Sequence, residues 1–147
     1  VDPLPRAVTV GKQQPFVEDG LIHCTERGVL VRSKSELVIA EKLDAKGIEF
    51  VFEQELRLPN GRVRYPDFTI HDQARGVVFY WEHLGLLDDS GYRERWEIKR
   101  AEYMAAGIRP AEDARDADKI LIESRDRSGG GLDAAMIARI IDEVLLG

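Results

Sequence analysis

Three acids stand where polarity alone does not explain them. Glu36 falls on the otherwise apolar face of a helical stretch, Asp67 follows Pro66 within an extended stretch, and Glu82 closes a hydrophobic run. Carboxylates are rarely fully buried without a partner. A hard divalent cation is one economical partner for several converging carboxylates. Mg²⁺ takes oxygen ligands and is usually held by one or two carboxylates with phosphate and water. Each acid also has a plainer reading. Glu36 completes a helix-start capping box, Asp67 is a turn acid, and Glu82 is a strand-end acid facing solvent. Lys99 shares a helix face with Tyr92, Trp96 and Tyr103. There its ammonium either meets an acid or phosphate, or snorkels along the aromatic surface to water. His83 either contacts phosphate, moves a proton, or packs.

Other chemistries find no support. Cys24 is the single cysteine, which excludes an intramolecular disulfide framework and a cysteine-based zinc site. Glycines 129–131 lack the Gly-Lys-Ser/Thr ending of a phosphate loop.

The elements that must position these residues follow from periodicity. Ser33 and Glu36 have capping-box spacing, helix formers run to Lys46, and Gly47 is a stop. Residues 49–58 alternate, with Phe50, Phe52, Gln54, Leu56 and Leu58 on one side and Glu53 and Glu55 on a solvated side, as in a half-buried strand. Pro59-Asn60-Gly61 marks a hairpin turn, and a second strand is expected over 62–70, interrupted at Pro66. Residues 77–82 read as a strand buried on both faces. A helix over 92–106, a short strand over 119–123 and an amphipathic helix over 133–146 follow. One or two strands are expected within 21–32. Residues 1–30 read as a lead-in or linker, and 31–147 as the folded unit. The expectation is an α/β fold with a central mixed β-sheet flanked by helices. Asp67 and Glu82, on consecutive strands, can then meet at one end of the sheet.

At 147 residues, 44% hydrophobic and 33% charged, the chain has enough apolar material for one core. No apolar run approaches the ~18–20 residues of a spanning helix, so no membrane role is expected. There is no initiator Met and no signal-peptide pattern, which leads us to expect a cytoplasmic protein and a piece of a longer one. The net charge is −6, with 27 acidic and 21 basic side chains, which argues against a generally basic nucleic-acid binder. The segment 57–64 holds three arginines and no acid, so a local basic groove remains open.

The strings Arg32-Ser33-Lys34-Ser35-Glu36, Pro66-Asp67-Phe68-Thr69-Ile70 and Trp81-Glu82-His83-Leu84-Gly85 resemble the PD-(D/E)XK nuclease superfamily. Within it they are similar to a branch of nuclease domains attached to helicases and other nucleic-acid machines. The resemblance covers residue 31 to the end of the chain. It implies a restriction-endonuclease-like core and Mg²⁺- or Mn²⁺-dependent hydrolysis of phosphodiester bonds in DNA, with RNA also possible. It further implies a fused or associated helicase or other nucleic-acid-processing domain. On this reading Asp67, Glu82 and the His83 carbonyl hold the metal, and Glu36 holds a second one or orients the attacking water. Arg32, Lys34 and Arg64 are candidate phosphate contacts, which position a backbone without reading sequence. The pattern departs at one place. Leu84 stands where the superfamily has a lysine, and Lys99 is the candidate replacement. The alternative is an inactive nuclease-fold module that binds nucleic acid or a partner protein.

Overall fold

The computed structural model of the chain describes Leu21 and residues 23–147. The lead-in expected over 1–30 lies outside the described residues as far as residue 20. Its remaining part forms a small antiparallel ladder, β1 (His23–Cys24) with β2 (Leu30–Val31), as the expectation for 21–32 allows.

The first helix among the described residues, α1 (Lys34–Ala45), starts where the sequence says it should. Ser33 is its N-cap, and both hydrogen bonds of the capping box with Glu36 are present. Gly47, at φ 70°, lets the chain leave the helix in a conformation that side chains rarely adopt.

Residues 49–58 do not form one strand. They divide into β3 (Val51–Phe52) and β4 (Leu56–Arg57), which pair in different sheets. The break falls at Glu53, whose φ of 55° turns the chain out of the ladder. The stretch 62–70 divides as well, into β5 (Val63–Arg64) and β6 (Phe68–Asp72), with Pro66 and Asp67 between them. The Pro59-Asn60-Gly61 turn does join a hairpin, in which β4 pairs with β5.

Strand β7 (Val77–Leu84) is the longest and lies mid-sheet. After it come α2 (Ser90–Ala105), a short β8 (Arg109–Pro110) that the sequence reading missed, and β9 (Lys119–Arg125). The final helix divides into α3 (Ala134–Ile140) and one π turn (Ile141–Leu145). The main sheet has the order β3-β6-β7-β9-β8, with β3, β6 and β7 antiparallel to their neighbours and β7, β9 and β8 parallel. The fold is therefore mixed α/β, with a five-stranded mixed sheet flanked by helices.

The alternation of β7 assigns its neighbours. Phe79 and Trp81 pack with Phe68, Ile122 and the apolar stripes of α1 and α3. Tyr80 and Leu84 pack on the opposite face with Trp96 and Tyr103 of α2. Among the described residues no helix is long and apolar enough to cross a membrane.

Phe68 is fully buried, and its ring meets Phe50, Phe52 and Trp81 edge-on at centroid distances of 5.4, 5.5 and 6.2 Å. Truncation there removes the hub of an aromatic cluster. Phe68→Ala is expected to cost about 3–5 kcal/mol, read as a lower urea midpoint; a cost below about 1 kcal/mol would show that the cluster collapses around the cavity.

Candidate nucleic-acid-processing site

The site is built at the ends of β6 and β7. These strands pair antiparallel with Phe68 opposite Trp81, so one residue outward Asp67 stands opposite Glu82. Directly opposed residues share a sheet face, here the face covered by α2. The backbone N–H of His83 donates to Asp67 Oδ2 at 2.7 Å. The Asp67 carbonyl accepts from Glu53 N at 3.0 Å. The residue before β6 is thus held from both neighbouring strands.

Glu82 is only 3% exposed, which excludes the solvent-facing reading. Its Oε2 accepts the Tyr103 hydroxyl at 2.6 Å and lies 3.3 Å from Lys99 Nζ. Lys99 and Tyr103, four residues apart on α2, share one helix face. The ammonium also lies 5.7 Å from the Trp96 ring centroid. Lys99 therefore meets an acid instead of snorkelling free, and Leu84 is buried in the α2-side core.

Glu36 sits at the third edge of the site. Its Oε1 accepts from the backbone N–H groups of Arg32 and Ser33 at 2.9 and 3.1 Å. Burial lifts its pKa to about 7, with the Glu53 charge adding to the rise and the Arg32 and Ser33 amides opposing it. Burial likewise raises Asp67 well above the ordinary carboxyl range, and the charges of Glu82 and Glu36 add to that rise. The His83 amide and Lys99 pull the other way. The carboxyl groups of Glu36, Asp67 and Glu82 thus contribute to one electrostatic field, which the Arg32 and Lys99 charges offset in part.

The donor set suits a hard cation. The bonds made by Asp67 and Glu82 go to Oδ2 and Oε2, so among the described residues Oδ1 and Oε1 keep their lone pairs. Among the described residues no group of three or more His, Cys, Asp and Glu side chains forms a ready metal cage. Two carboxylates and a backbone carbonyl are nevertheless an ordinary protein share of Mg²⁺ coordination.

The other residues singled out from sequence are placed elsewhere. The His83 ring is on the opposite sheet face, with Nδ1 2.7 Å from Ser124 Oγ and Nε2 2.7 Å from Asp126 Oδ1. Trp81 Nε1 also donates to Ser124 Oγ, and Ser35 Oγ to Asp126 Oδ1. The ring therefore packs and ties β7 to the start of α1; the residue faces the site with its backbone. Arg32 spends its fork on Glu53, Nε to Oε2 at 2.6 Å and Nη2 to Oε1 at 2.8 Å. Arg64 is bound to Glu102 at 2.6 Å, and Arg62 reaches the same carboxylate at 3.3 Å. The arginine-rich 57–64 segment is therefore less basic than its sequence reads. Lys34 is exposed on the first turn of α1.

Glu53 overturns an expectation. Read from alternation as solvated, it is 3% exposed and carries a left-handed backbone. That conformation costs roughly 1 kcal/mol or more. Its ion pair with Arg32 and its N–H bond to Asp67 hold it there. Nothing in local sequence signals this, because Arg32 is 21 residues away. Tyr103 was visible as an α2-face residue, but its bond to Glu82 needed the packing of α2 on β7.

In comparisons with known proteins, no family model and no solved structure matches the chain. It is 32% identical over 117 residues to an uncharacterized protein of Methanocaldococcus jannaschii. The match covers 75% of this chain and 10% of that protein, so the chain spans about a tenth of its relative's length.

Two outcomes follow from this geometry. Glu53→Ala leaves the Arg32 charge without its carboxylate, and a loss of about 3 kcal/mol in urea unfolding is expected; an unchanged midpoint would show that the pair contributes no net stability. The raised pKa values of Glu36 and Asp67 mean that the native state binds protons more tightly than the unfolded one. The stabilising contribution of Glu36 is full below about 4.5, its ordinary value, and is lost as pH rises through about 7; that of Asp67 is likewise lost as pH rises above the ordinary carboxyl range. In metal-free buffer, wild type should lose stability between pH 5 and 8 relative to the Glu36→Gln/Asp67→Asn variant. Parallel pH profiles would contradict the assigned shifts.

Proposed function

We propose that the chain is a divalent-cation-dependent nuclease with a restriction-endonuclease-like core, hydrolysing phosphodiester bonds in DNA. The observation that carries this reading is the meeting of Lys99 with Glu82, beside Asp67. A helix-borne ammonium 3.3 Å from the second acid supplies the cation that the motif lacks at Leu84. The resemblance of the three sequence strings to the PD-(D/E)XK superfamily supports the same reading.

Asp67, Glu82 and the His83 carbonyl would hold Mg²⁺ or Mn²⁺, with Glu36 at the margin. Such a cation, when bound, lowers the pKa of water and stabilises negative charge on phosphate oxygens. The chain's own residues do the rest. The His83 amide orients the Asp67 carboxyl. The Tyr103 hydroxyl and Lys99 orient Glu82, and the Lys99 ammonium offsets charge that develops on the reacting phosphate. Lys34, exposed on the first turn of α1, would contact a phosphate; Arg64, at the margin of the cleft, is held by Glu102.

The acidic average implies weak nucleic-acid binding by this chain alone. Delivery of substrate by a fused or associated helicase-like domain fits that balance, and so does the much greater length of the archaeal relative, of which the match covers 10%. RNA remains a second substrate class to assay.

The test is cleavage of single- and double-stranded DNA and RNA in Mg²⁺ or Mn²⁺. Asp67→Ala and Glu82→Ala are each expected to lower the rate by at least ~10²-fold, and Lys99→Ala by about 10²–10³-fold. Full activity in both acid variants would remove the site assignment. A wild-type protein that binds DNA but cleaves nothing would favour the inactive binding module.

A further inference from the structure

Above Glu82 a cleft of about 260 Å³ opens toward solvent, lined by Arg64, Tyr92, Arg95, Trp96 and Lys99 among others. It carries three cationic side chains, and two of them are already matched. Arg64 is paired with Glu102, and Lys99 with Glu82. Arg95 is exposed and has no ion pair among the described residues. Its guanidinium lies back along the helix toward Gly91, where an added Cβ would come within 3.3 Å of Nη1. The same point lies 3.3 Å from Asp89 Oδ1, which accepts the Tyr92 N–H, so Arg95 lines the cleft beside the first turn of α2 with the N-cap carboxylate on its far side.

Tyr92 supplies the second group. Its hydroxyl oxygen accepts from the Gly85 N–H at 3.4 Å, which leaves the phenol proton to donate. Burial raises its pKa, so that proton is retained at neutral pH. Tyr92, Arg95, Trp96 and Lys99 fall at i, i+3, i+4 and i+7, one continuous face of α2. Arg95 is one turn from Lys99, about 6 Å between Cβ positions. Neighbouring phosphates on a nucleic-acid strand are likewise several ångströms apart.

We propose that Arg95 and the Tyr92 hydroxyl form an anion subsite that takes a non-scissile backbone phosphate of the nucleic-acid substrate, next to the phosphate at Lys99. This rests on the nuclease reading and names a part of the substrate that the site grips. Arginine suits the task because its planar fork donates two parallel hydrogen bonds to phosphate. The cleft is smaller than the ~300–1,000 Å³ of pockets that enclose whole ligands. It accommodates a phosphate with part of its sugar, while the bases remain outside. The contact is therefore sequence-independent.

The experiment uses the 147-residue protein. Cleavage of a DNA oligonucleotide is measured in Mg²⁺, and binding of the same labelled oligonucleotide in Ca²⁺ across a salt series. Arg95→Ala is expected to raise KM about tenfold with kcat within about twofold, the loss of one charge-assisted hydrogen-bonded contact. The slope of log affinity against log salt should fall by about 0.7–0.9, one phosphate's worth. Arg95→Lys should recover the slope, since it keeps the charge, and only part of the KM, since it lacks the fork. Wild-type KM and slope in Arg95→Ala, with cleavage still abolished by Asp67→Ala, would overturn the subsite and leave the nuclease reading standing. If wild type binds DNA without cleaving it, the salt slope of Arg95→Ala decides the subsite by itself. If wild type does neither, the subsite and the nuclease reading fall together.

Discussion

Carboxyl groups crowded into a low-dielectric corner repel one another, and the arrangement around Asp67, Glu82 and Glu36 consists largely of what offsets that repulsion. Each acid is met differently. Backbone amides serve Glu36 and Asp67, while a phenol and an ammonium serve Glu82. Even so, burial keeps Glu36 and Asp67 raised above ordinary carboxyl values. A corner of this kind is costly to build for stability alone.

The support around the corner is drawn from every layer of the fold. Arg32 and Glu53 join the start of α1 to the end of β3, and the Glu53 N–H carries that link to the Asp67 carbonyl. On the far face the His83 ring, Ser124, Asp126 and Ser35 join β7 and β9 to the residue beside Glu36. The strand that carries Glu82 is thereby held on both faces by polar bonds at its functional end and by aromatic packing at the other. Arg62 and Arg64 pin the β4–β5 hairpin to α2 through Glu102, closing one wall of the cleft. A site held in this way on strands and a helix is more rigid than one carried by loops.

Much of this was legible in the chain because some signals are local. The capping box at Ser33 and Glu36, the Pro59-Asn60-Gly61 turn and the apolar run before Glu82 each depend on residues a few positions apart. The α2 face was legible for the same reason, and it singled out Lys99 as a cation on an aromatic helix face, which the structure places against Glu82. The interruption at Pro66, between β5 and β6, was legible too, but the strand break at Glu53 was not. Alternation is indifferent to which sheet a segment joins, and Glu53 turns out of its ladder only because a partner 21 residues away holds its side chain. The commitment of Arg32 and Arg64 to carboxylates was hidden for the same reason.

By itself the sequence determined the three helix starts, the hairpin turn, the two faces of β7 and the short list of acids and cations with chemical potential, because capping, turn geometry and hydrophobic period act over a few residues. The tertiary structure decided which of these residues meet. The β6–β7 register set Asp67 opposite Glu82, and α2 brought Lys99 and Tyr103 onto Glu82. The same packing left Arg95 open at the cleft, while the pairing of β7 with β9 gave the His83 ring its partners Ser124 and Asp126 on the other face. Those are matters of pairing and charge compensation across layers, and neither leaves a mark within a local stretch of chain.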